Sequence, residues 1–388
     1  MSMDVYGNGV YISAELFVRG GVHYLFIPPL CRINKMEYII FFALAFLFLF
    51  LFRKAAKKFN LVDRPNERKL HQGAIPLVGG ISIYCTLMLV LWIKPDILVN
   101  SDIYVLCASV LVLTGAIDDK YDVDYRIRLV IQILISCTMI FGAGLSLKSL
   151  GGLAFGHEVV LGPLGYIFTV FAVLGAINAF NMVDGIDGLL GGLTLATFGG
   201  LAYINYIDQQ LLLARFCLLM MIVVIPYIIL NLGFPFDVRR KVFMGDAGSM
   251  LIGFTVIWVL LQGTQGPKAQ MYPVTALWLI AIPLMDMVTI MVRRVRKGHS
   301  PFKPDREHLH HICMKAGLSS RQTLLFICLL AVLLATGGII IEAMNIPEVI
   351  SLLLFMVVFF LYFSALNAIW RILAWLRKRG IVSSHEVT

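Results

Sequence analysis

Long apolar runs alternate with short polar segments along most of this chain. Eleven runs approach the roughly 20 apolar residues that cross the hydrocarbon core of a bilayer. Lipid offers no hydrogen-bond partner to an unpaired backbone, so each run predicts a helix. The pattern therefore predicts an all-α polytopic membrane protein with about eleven transmembrane helices. The predicted spans are 36–52, 77–93, 102–117, 127–147, 160–179, 189–206, 211–231, 247–265, 272–292, 322–342 and 349–370.

The composition supports the same fold class. Hydrophobic residues make up 59% of the 388 residues and charged residues 14%, whereas soluble domains average roughly 45–50% and about 25%. The mean hydropathy is +0.86. A soluble chain of this length lacks the interior volume to bury so much apolar surface, which excludes a soluble enzyme or binding domain.

The first 35 residues differ from the rest of the chain. Residues 1–35 have mixed polarity, and Pro28-Pro29 interrupts their one apolar stretch. They lack the basic start, short apolar core and cleavage site of a signal peptide. We expect them to be a dispensable extension that a mis-assigned start codon would explain. Residues 36–370 are then the transmembrane domain, and residues 371–388 form a basic cytoplasmic tail.

The distribution of Lys and Arg predicts the orientation in the membrane. Loops on one side of the predicted spans hold 25 of these residues, and loops on the other side hold 4. Cytoplasmic loops collect Lys and Arg, so the rich side is cytoplasmic and the C-terminus ends there. The same asymmetry explains most of the net charge of +9. A nucleic-acid partner is therefore not expected.

The acidic residues indicate the class of function. Asp118-Asp119, Asp184, Asp187 and Asp246 all lie at the predicted cytoplasmic edge of a span. A secondary transporter or flippase keeps its essential ionisable groups near the bilayer midplane instead. The positions favour an active site that faces the cytoplasm. Asp286, near the end of the ninth span, is left open between a packing partner for a nearby arginine and a member of the site.

The densest polar segment beside apolar sequence is NAFNMVDGIDGLLGG. Asn178, Asn181, Asp184 and Asp187 recur every three residues, which on a helix or 3₁₀ turn gathers them near one face. Amide and carboxylate oxygens suit Mg²⁺, which often bridges to substrate phosphates. The alternative is a helix terminus with capping side chains. Four such residues in phase exceed what capping needs.

The segment IDDKYDVDYRIR contains the adjacent carboxylates Asp118 and Asp119. Adjacent carboxylates repel each other, which favours binding of a cation or retention of a proton. Either outcome is useful in phosphoryl transfer, and the alternative is a solvated acidic turn. Arg128 follows, as a phosphate contact or as one more cytoplasmic cation.

The segment KVFMGDAGS places Asp246 between two glycines at the start of an apolar span. A carboxylate there can bind a metal ion, and Phe243, three residues earlier, can stack on a base. The alternative is that Asp246 caps the helix.

The segment SPFKPDREHLHH ends in three histidines, His308, His310 and His311, and also contains Arg306. A histidine cluster can bind a transition metal. The basic surroundings favour anion binding, with histidine as hydrogen-bond donor or acid. A solvated basic loop is the third interpretation.

The first predicted cytoplasmic loop carries Lys69 and His71 before a Pro- and Gly-rich span entry. Basic residues are expected there in any case, so this feature alone is weak. Signatures of P-loop, zincin and α/β-hydrolase chemistry do not occur.

These segments together resemble the polyprenyl-phosphate N-acetylhexosamine-1-phosphate transferases. The resemblance runs from about Met36 to the last span and is carried by RKLHQGAIPLVGGIS, GAIDDKYDV, NAFNMVDGIDGLLGG, KVFMGDAGS and SPFKPDREHLHH. The histidine segment looks most like that of members that use UDP-GlcNAc. The related transferase that acts on UDP-MurNAc-pentapeptide differs in this segment and is the nearest alternative. The same chemistry on another UDP-HexNAc is a further alternative.

The resemblance implies a Mg²⁺-dependent reaction, with Mn²⁺ as a possible substitute. UDP-GlcNAc and undecaprenyl phosphate would give undecaprenyl-diphosphate-GlcNAc and UMP at the bacterial inner membrane. This is the first membrane step of a cell-surface polysaccharide such as O-antigen or enterobacterial common antigen. The oligomeric state stays open, a homo-oligomer included.

The resemblance also implies roles for individual residues. Asp246 and Asn181 would bind the metal, and Asp118 and Asp119 would orient or deprotonate the lipid phosphate. Asp187 and Phe243 match positions that recognise uracil in relatives. The remaining residues would hold phosphates or the sugar or take part in catalysis: Lys69, His71, Arg128, Asn178, Asp184, Arg306, His308, His310 and His311.

Overall fold

The computed structural model is a bundle of helices. It describes residues 2–5, 10–18, 21–26, 35–64, 73–154, 156–233, 240–266, 269–301 and 308–378. Within these residues the helices are α1 Lys35–Phe59, α2 Gly79–Ile93, α3 Ser101–Tyr121, α4 Tyr125–Ala143, α5 Leu164–Met182, α6 Leu189–Ile207, α7 Leu211–Leu232, α8 Gly245–Gln265, α9 Pro273–Leu279, α10 Ala281–Arg296, α11 Leu309–Lys315, α12 Ser320–Ala343 and α13 Glu348–Lys378.

The all-α membrane fold is confirmed, whereas the number of spans stays a prediction. In the described part of the chain, eight helices are long and apolar enough to cross a membrane, and nine if α9 and α10 form one bent span. The other two predicted spans correspond to α2, with 15 residues, and α6, with 19 residues. Helix α13 continues to Lys378 and so includes the first eight residues of the predicted tail.

The predicted ninth span is broken. Helices α9 and α10 meet at an angle of 81°. Pro283 has no N–H to donate to the carbonyl of Leu279, so the helix cannot continue unbroken through this point. The hydroxyl of Thr197 on α6 donates to that carbonyl at 3.1 Å. A neighbouring helix therefore satisfies the acceptor that the proline leaves open.

Helix α8 forms the centre of the bundle, and 94% of its most apolar 18-residue stretch is buried. Glycines allow the neighbouring helices to approach its first turns. A Cβ on Gly80 of α2 would lie 2.1 Å from the Cα of Gly248, and one on Gly115 of α3 would lie 2.4 Å from the Cα of Ala247. The start of α8 is thereby fixed by backbone packing against α2 and α3.

Five strands accompany the helices. Strands β1 Ser2–Val5, β2 Val10–Val18 and β3 Gly21–Phe26 form an antiparallel sheet in the order β1-β2-β3. Strands β4 Val62–Asp63 and β5 Ile75–Pro76 pair antiparallel between α1 and α2. The backbone N–H of Phe243 donates to the carbonyl of Pro76 at 2.9 Å, which ties the segment before α8 to this small sheet.

Candidate active site

The acidic residues of α3 and α8 meet at one end of the bundle. The backbone N–H groups of Asp246 and Ala247 donate to the two carboxylate oxygens of Asp119, at 2.8 and 3.4 Å. Asp119 thus caps α8 from a neighbouring helix and satisfies donors that every helix start leaves open. The alternative that Asp246 is the cap does not hold. Its carboxylate lies within the first turn of α8 and is left for another role.

Arg128 on α4 links two of the carboxylates. Its Nη1 donates to Oδ2 of Asp118 at 2.5 Å and lies 3.7 Å from Oδ2 of Asp246. The other oxygen of Asp118 accepts the backbone N–H of Val123 at 2.7 Å. The structure therefore brings Asp118, Asp246 and Arg128 together.

Asn181 on α5 lies on the other side of Asp246. Its Nδ2 donates to Oδ1 of Asp246 at 2.6 Å and to Oγ of Ser249 at 2.8 Å. The two ends of an amide are assigned from hydrogen bonding, and a rotated amide would place its oxygen beside the carboxylate. The predicted metal-binding pair, Asn181 and Asp246, is thus adjacent.

The residues present fit a magnesium ion. Within the described part of the chain, no group of three or more His, Cys, Asp or Glu side chains is arranged to hold a metal ion. Mg²⁺ needs no such group, because it usually takes one or two carboxylates and completes its shell with water and substrate phosphates. Asp246 and Asn181 offer one carboxylate and one amide. A cation there would also offset the repulsion between Asp246 and the nearby Asp118 and Asp119.

The polar segment after α5 is only partly helical. Asn178 and Asn181 lie in the last turns of α5, whereas Asp184 and Asp187 lie in the turn before α6. Gly188, with φ +78°, begins α6 from the left-handed region that favours glycine. The three-residue spacing therefore gathers the side chains through a helix end and a turn, rather than through one helix face.

The side chain of Asp184 lies in the turn after α5 and is exposed to solvent. Its carboxyl group is nevertheless surrounded by many protein atoms, which reduce its hydration. This environment disfavours the charged form and raises the pKa of the carboxyl to about 7. The nearby carboxylates of Asp246 and Asp187 raise the pKa further.

The two residues expected to recognise uracil share a lysine. Nζ of Lys241 donates to Oδ2 of Asp187 at 2.5 Å and lies 5.1 Å from the ring centroid of Phe243. The distance to the ring is that of a cation–π contact. Lys241 was not predicted as a site residue. Its position two residues before Phe243 in KVFMGDAGS was the only available indication.

A cavity of about 280 Å³ opens between α4, α5 and the histidine segment. Arg128, Asn181, Arg294 and the three histidines line it, together with Tyr125, Leu129, Asn178, Met182 and Gly185. The cavity thus connects the histidine segment to Arg128 and Asn181, which both lie beside Asp246.

His310 contacts the turn after α5 directly. Its side chain is 2% exposed, and a Cβ on Gly185 would lie 2.1 Å from its Nε2. Burial, assisted by neighbouring His311 and His308, lowers the pKa of His310 to about 3. His310 is therefore neutral at physiological pH, and the positive charge of the cavity comes from its arginines.

The remaining predicted residues fall into two groups. Asn178 lines the cavity but directs its Nδ2 to Oε1 of Gln132 at 2.9 Å, an interaction that no sequence pattern indicated. Lys69, His71 and Arg306 lie outside the described residues. The roles assigned to all the site residues stay predictions.

Sequence comparison places the chain among known proteins. A protein of Yersinia pestis named undecaprenyl-phosphate alpha-N-acetylglucosaminyl 1-phosphate transferase is 52% identical over 347 residues, or 89% of this chain and 94% of that protein. Proteins of the same name from Escherichia coli (strain K12) and Haemophilus influenzae are 51% and 46% identical, over 88% and 86% of this chain. The alignments cover 93% and 94% of those two proteins. The chain belongs to this family of membrane transferases.

The sequence pattern of the broader family, described as Glycosyl transferase family 4, matches residues 102–264. This segment runs from α3 to α8 and contains the acidic cluster, Arg128 and both members of the candidate metal-binding pair. The resemblance drawn from the sequence motifs is thereby confirmed. In this family member the histidine segment, the bent pair α9–α10 and the last two long helices lie beyond the matched segment.

Proposed function

We propose that this protein transfers GlcNAc-1-phosphate from UDP-GlcNAc to undecaprenyl phosphate. A phosphate oxygen of the lipid forms a bond to the β-phosphorus of UDP-GlcNAc, and the bond from that phosphorus to the bridging oxygen breaks. UMP leaves, and undecaprenyl-diphosphate-GlcNAc remains in the membrane. The observation that carries the proposal is the convergence of Asp246, Asn181, Arg128 and the histidine segment at one end of the bundle. The sequence of this chain is also about 50% identical to those of transferases with this name.

Charge compensation is the main task of such a site. Two anionic substrates must approach each other, so cationic groups have to offset their repulsion. Arg128 and Arg294 line the cavity, and the Arg128 guanidinium already bridges Asp118 and Asp246. An incoming phosphate can replace the carboxylates as the hydrogen-bond partner of the Arg128 guanidinium, because guanidinium binds phosphate and carboxylate in the same geometry.

Asp246 and Asn181 would hold Mg²⁺, with Mn²⁺ as a substitute. When bound, the ion would neutralise charge on the diphosphate of UDP-GlcNAc and on the phosphate that leaves as part of UMP. Asp119 holds the backbone of Asp246 in place, so its contribution is to fix the direction in which that carboxylate points. Asp118 and Asp184 flank the pair, and either carboxylate can accept a proton from an incoming phosphate.

The nucleotide would lie over Phe243. A uracil ring can stack on the exposed part of this side chain, and Asp187 can accept a hydrogen bond from the uracil N–H. Lys241 touches both residues. The sugar and its phosphate would then extend toward the cavity and its three histidines.

An apolar cavity extends from the opposite end of the bundle toward the later turns of α5, and we assign the prenyl chain to it. This cavity, of about 330 Å³, lies between α5, α8 and the bent pair α9–α10. Gly175 and Ala176 line it on α5, just before Asn178, and Leu284 and Met287 line it on α10. A prenyl chain in this cavity would present its phosphate to the polar residues at the end of α5.

The orientation proposed for the membrane agrees with the chemistry. The end of the bundle that carries the site is the end whose loops are rich in Lys and Arg, which is the cytoplasmic end by the positive-inside rule. UDP-sugars are cytosolic, and the lipid carries its phosphate at the headgroup level. We therefore place the active site at the cytoplasmic face of the bacterial inner membrane.

The direct test is to incubate membranes containing the protein with undecaprenyl phosphate, Mg²⁺ and one of several UDP-sugars, and to measure UMP release. UDP-GlcNAc, UDP-GalNAc and UDP-MurNAc-pentapeptide form the panel. We expect UDP-GlcNAc to give UMP only when the lipid is present. UMP release with another sugar alone would refute the proposed substrate, and no release with any sugar would refute the activity.

A further inference from the structure

Asp286 is a buried carboxylate on α10 that the proposed chemistry does not use. It is 1% exposed, and three groups from two other parts of the chain form hydrogen bonds with it. Nδ1 of His308 lies 2.7 Å from Oδ2, while the backbone N–H of Leu309 and the hydroxyl of Tyr362 donate to Oδ1 at 3.0 and 2.9 Å. A carboxylate in an apolar helix bundle is costly unless it is satisfied in this way.

The first of these contacts fixes the orientation of an imidazole in the active-site cavity. His308 is 6% exposed and lines the same cavity as Arg128 and Asn181. Because the carboxylate accepts from Nδ1, the proton of neutral His308 resides on Nδ1. Nε2, on the far side of the ring, then carries a lone pair that can accept a proton from a substrate phosphate.

The second contact fixes the segment that follows. Leu309 is the first residue of α11, which carries His310 and His311. The bond from its N–H to Asp286 satisfies one of the open donors at this helix start. Asp286 therefore determines where α11 begins, as well as how His308 is turned.

The third contact reaches the last helix. Tyr362 lies on α13, and its hydroxyl donates to the carboxylate oxygen that Leu309 also uses. The carboxylate of Asp286 thus connects α10 to α13 as well as to the histidine segment.

We propose that Asp286 is a positioning residue for phosphoryl transfer, which holds His308 with its Nε2 directed at the substrate phosphates. This inference rests on the proposed function. Asp286 itself touches no substrate, so its whole effect on the reaction passes through His308 and the segment that His308 begins.

The variant Asp286→Asn tests this role with little change of shape. An asparagine oxygen can still accept from Leu309 and Tyr362, but its NH₂ group would face Nδ1 of His308. Nδ1 would then have to accept, and the proton of neutral His308 would move to Nε2, which could no longer accept a proton from a phosphate. An analogous Asp→Asn change in a serine protease triad lowers kcat about 10⁴-fold. We expect a loss of about 10²-fold in kcat, with smaller changes in KM for UDP-GlcNAc.

Two further variants separate positioning from stability. Tyr362→Phe removes another donor from the same carboxylate but leaves His308 in place, so we expect kcat within about threefold of the parent. Asp286→Glu keeps the charge and should restore part of the activity lost in Asp286→Asn. Protein amount in membranes and the thermal midpoint in detergent are measured for every variant.

The deciding measurement is a double-mutant cycle that combines Asp286→Asn with His308→Ala. Activity is measured as the amount of radiolabelled lipid product, because this readout detects low activities. If Asp286 acts through His308, Asp286→Asn has little further effect once the imidazole is gone, because the two residues act as a unit. Equal fold losses in both backgrounds would overturn the inference, and so would full activity of Asp286→Asn alone. An unmodified protein that releases no UMP from UDP-GlcNAc would instead overturn the proposed function, and the inference with it.

Discussion

Gly185 offers a sharp test of whether the histidine segment and the turn after α5 form one site. A Cβ at this position would lie 2.1 Å from Nε2 of His310 and 2.3 Å from its Cε1. The backbone of Gly185 is not in the left-handed region, so Gly185→Ala introduces a clash without backbone strain. The imidazole is buried and packs between His308 and His311, which limits its freedom to turn away.

The size of the effect follows from the displacement. Ordinary contact begins near 3.4 Å, so the ring and the turn must separate by more than 1 Å. A displacement of about 1 Å at a catalytic site can lower a rate about 10²-fold, or roughly 2.7 kcal/mol in activation free energy. We expect Gly185→Ala to lower UMP release by about this factor.

The assay compares UMP release in membranes at equal amounts of protein. Gly337→Ala is the matched control, because a Cβ there meets nothing within 4 Å and the change also lies in the helix bundle. The control should retain activity within about twofold, as expected for a substitution away from packed features. Activity of Gly185→Ala equal to that of the control would refute the contact between the turn and the histidine segment.

Three further predictions address the metal, the nucleotide and pH. Asp246→Ala should abolish UMP release without loss of protein, and EDTA should do the same to the unmodified protein until Mg²⁺ or Mn²⁺ is restored; activity in the variant would contradict the metal assignment. Lys241→Met should raise the KM for UDP-GlcNAc about tenfold, as expected for loss of a charged hydrogen bond, and leave the KM for undecaprenyl phosphate unchanged. Lys94→Met, which removes an ion pair with Glu37 at the other end of the bundle, is the control, and equal KM values in the two variants would contradict the role of Lys241. Because the pKa of His310 is about 3 in the folded protein and about 6.5 in an unfolded chain, protonation favours unfolding as pH falls from 7 to 5, by about 2 kcal/mol. The thermal midpoint should therefore fall less over this range in His310→Asn than in the parent, and an equal fall would show that His310 is not held neutral.

The sequence was sufficient to predict the helices and to gather the site at one end of them. Apolar runs are a strong signal because lipid tolerates little else, and every predicted span corresponds to a helix or to the bent pair. The same signal cannot reveal a bend. Pro283 alone predicts only an interruption. The 81° bend also involves Thr197 of another helix, which donates a hydrogen bond to the carbonyl of Leu279.

The motifs identified the acidic residues but did not predict which contacts each of them makes. Asp118 and Asp119 are equivalent in sequence, yet one pairs with Arg128 and the other caps α8. This difference arises from the direction of α3 relative to α8, which no local pattern contains. Asp286 illustrates the same limit, since its partners lie 22, 23 and 76 residues away.

Under the proposed function, the bend between α9 and α10 has a consequence for lipid selection. The apolar cavity beside it holds about 330 Å³, near the lower end of the volumes that enclose a drug-sized ligand. Such a space can enclose only the first isoprene units of a long polyprenyl chain, and the rest must lie among the acyl chains of the bilayer. Selection by the protein then acts on the phosphate and the units next to it, while total chain length is left to the membrane. Acceptors of different lengths would be discriminated by how they partition into the bilayer, rather than by how they fit the protein.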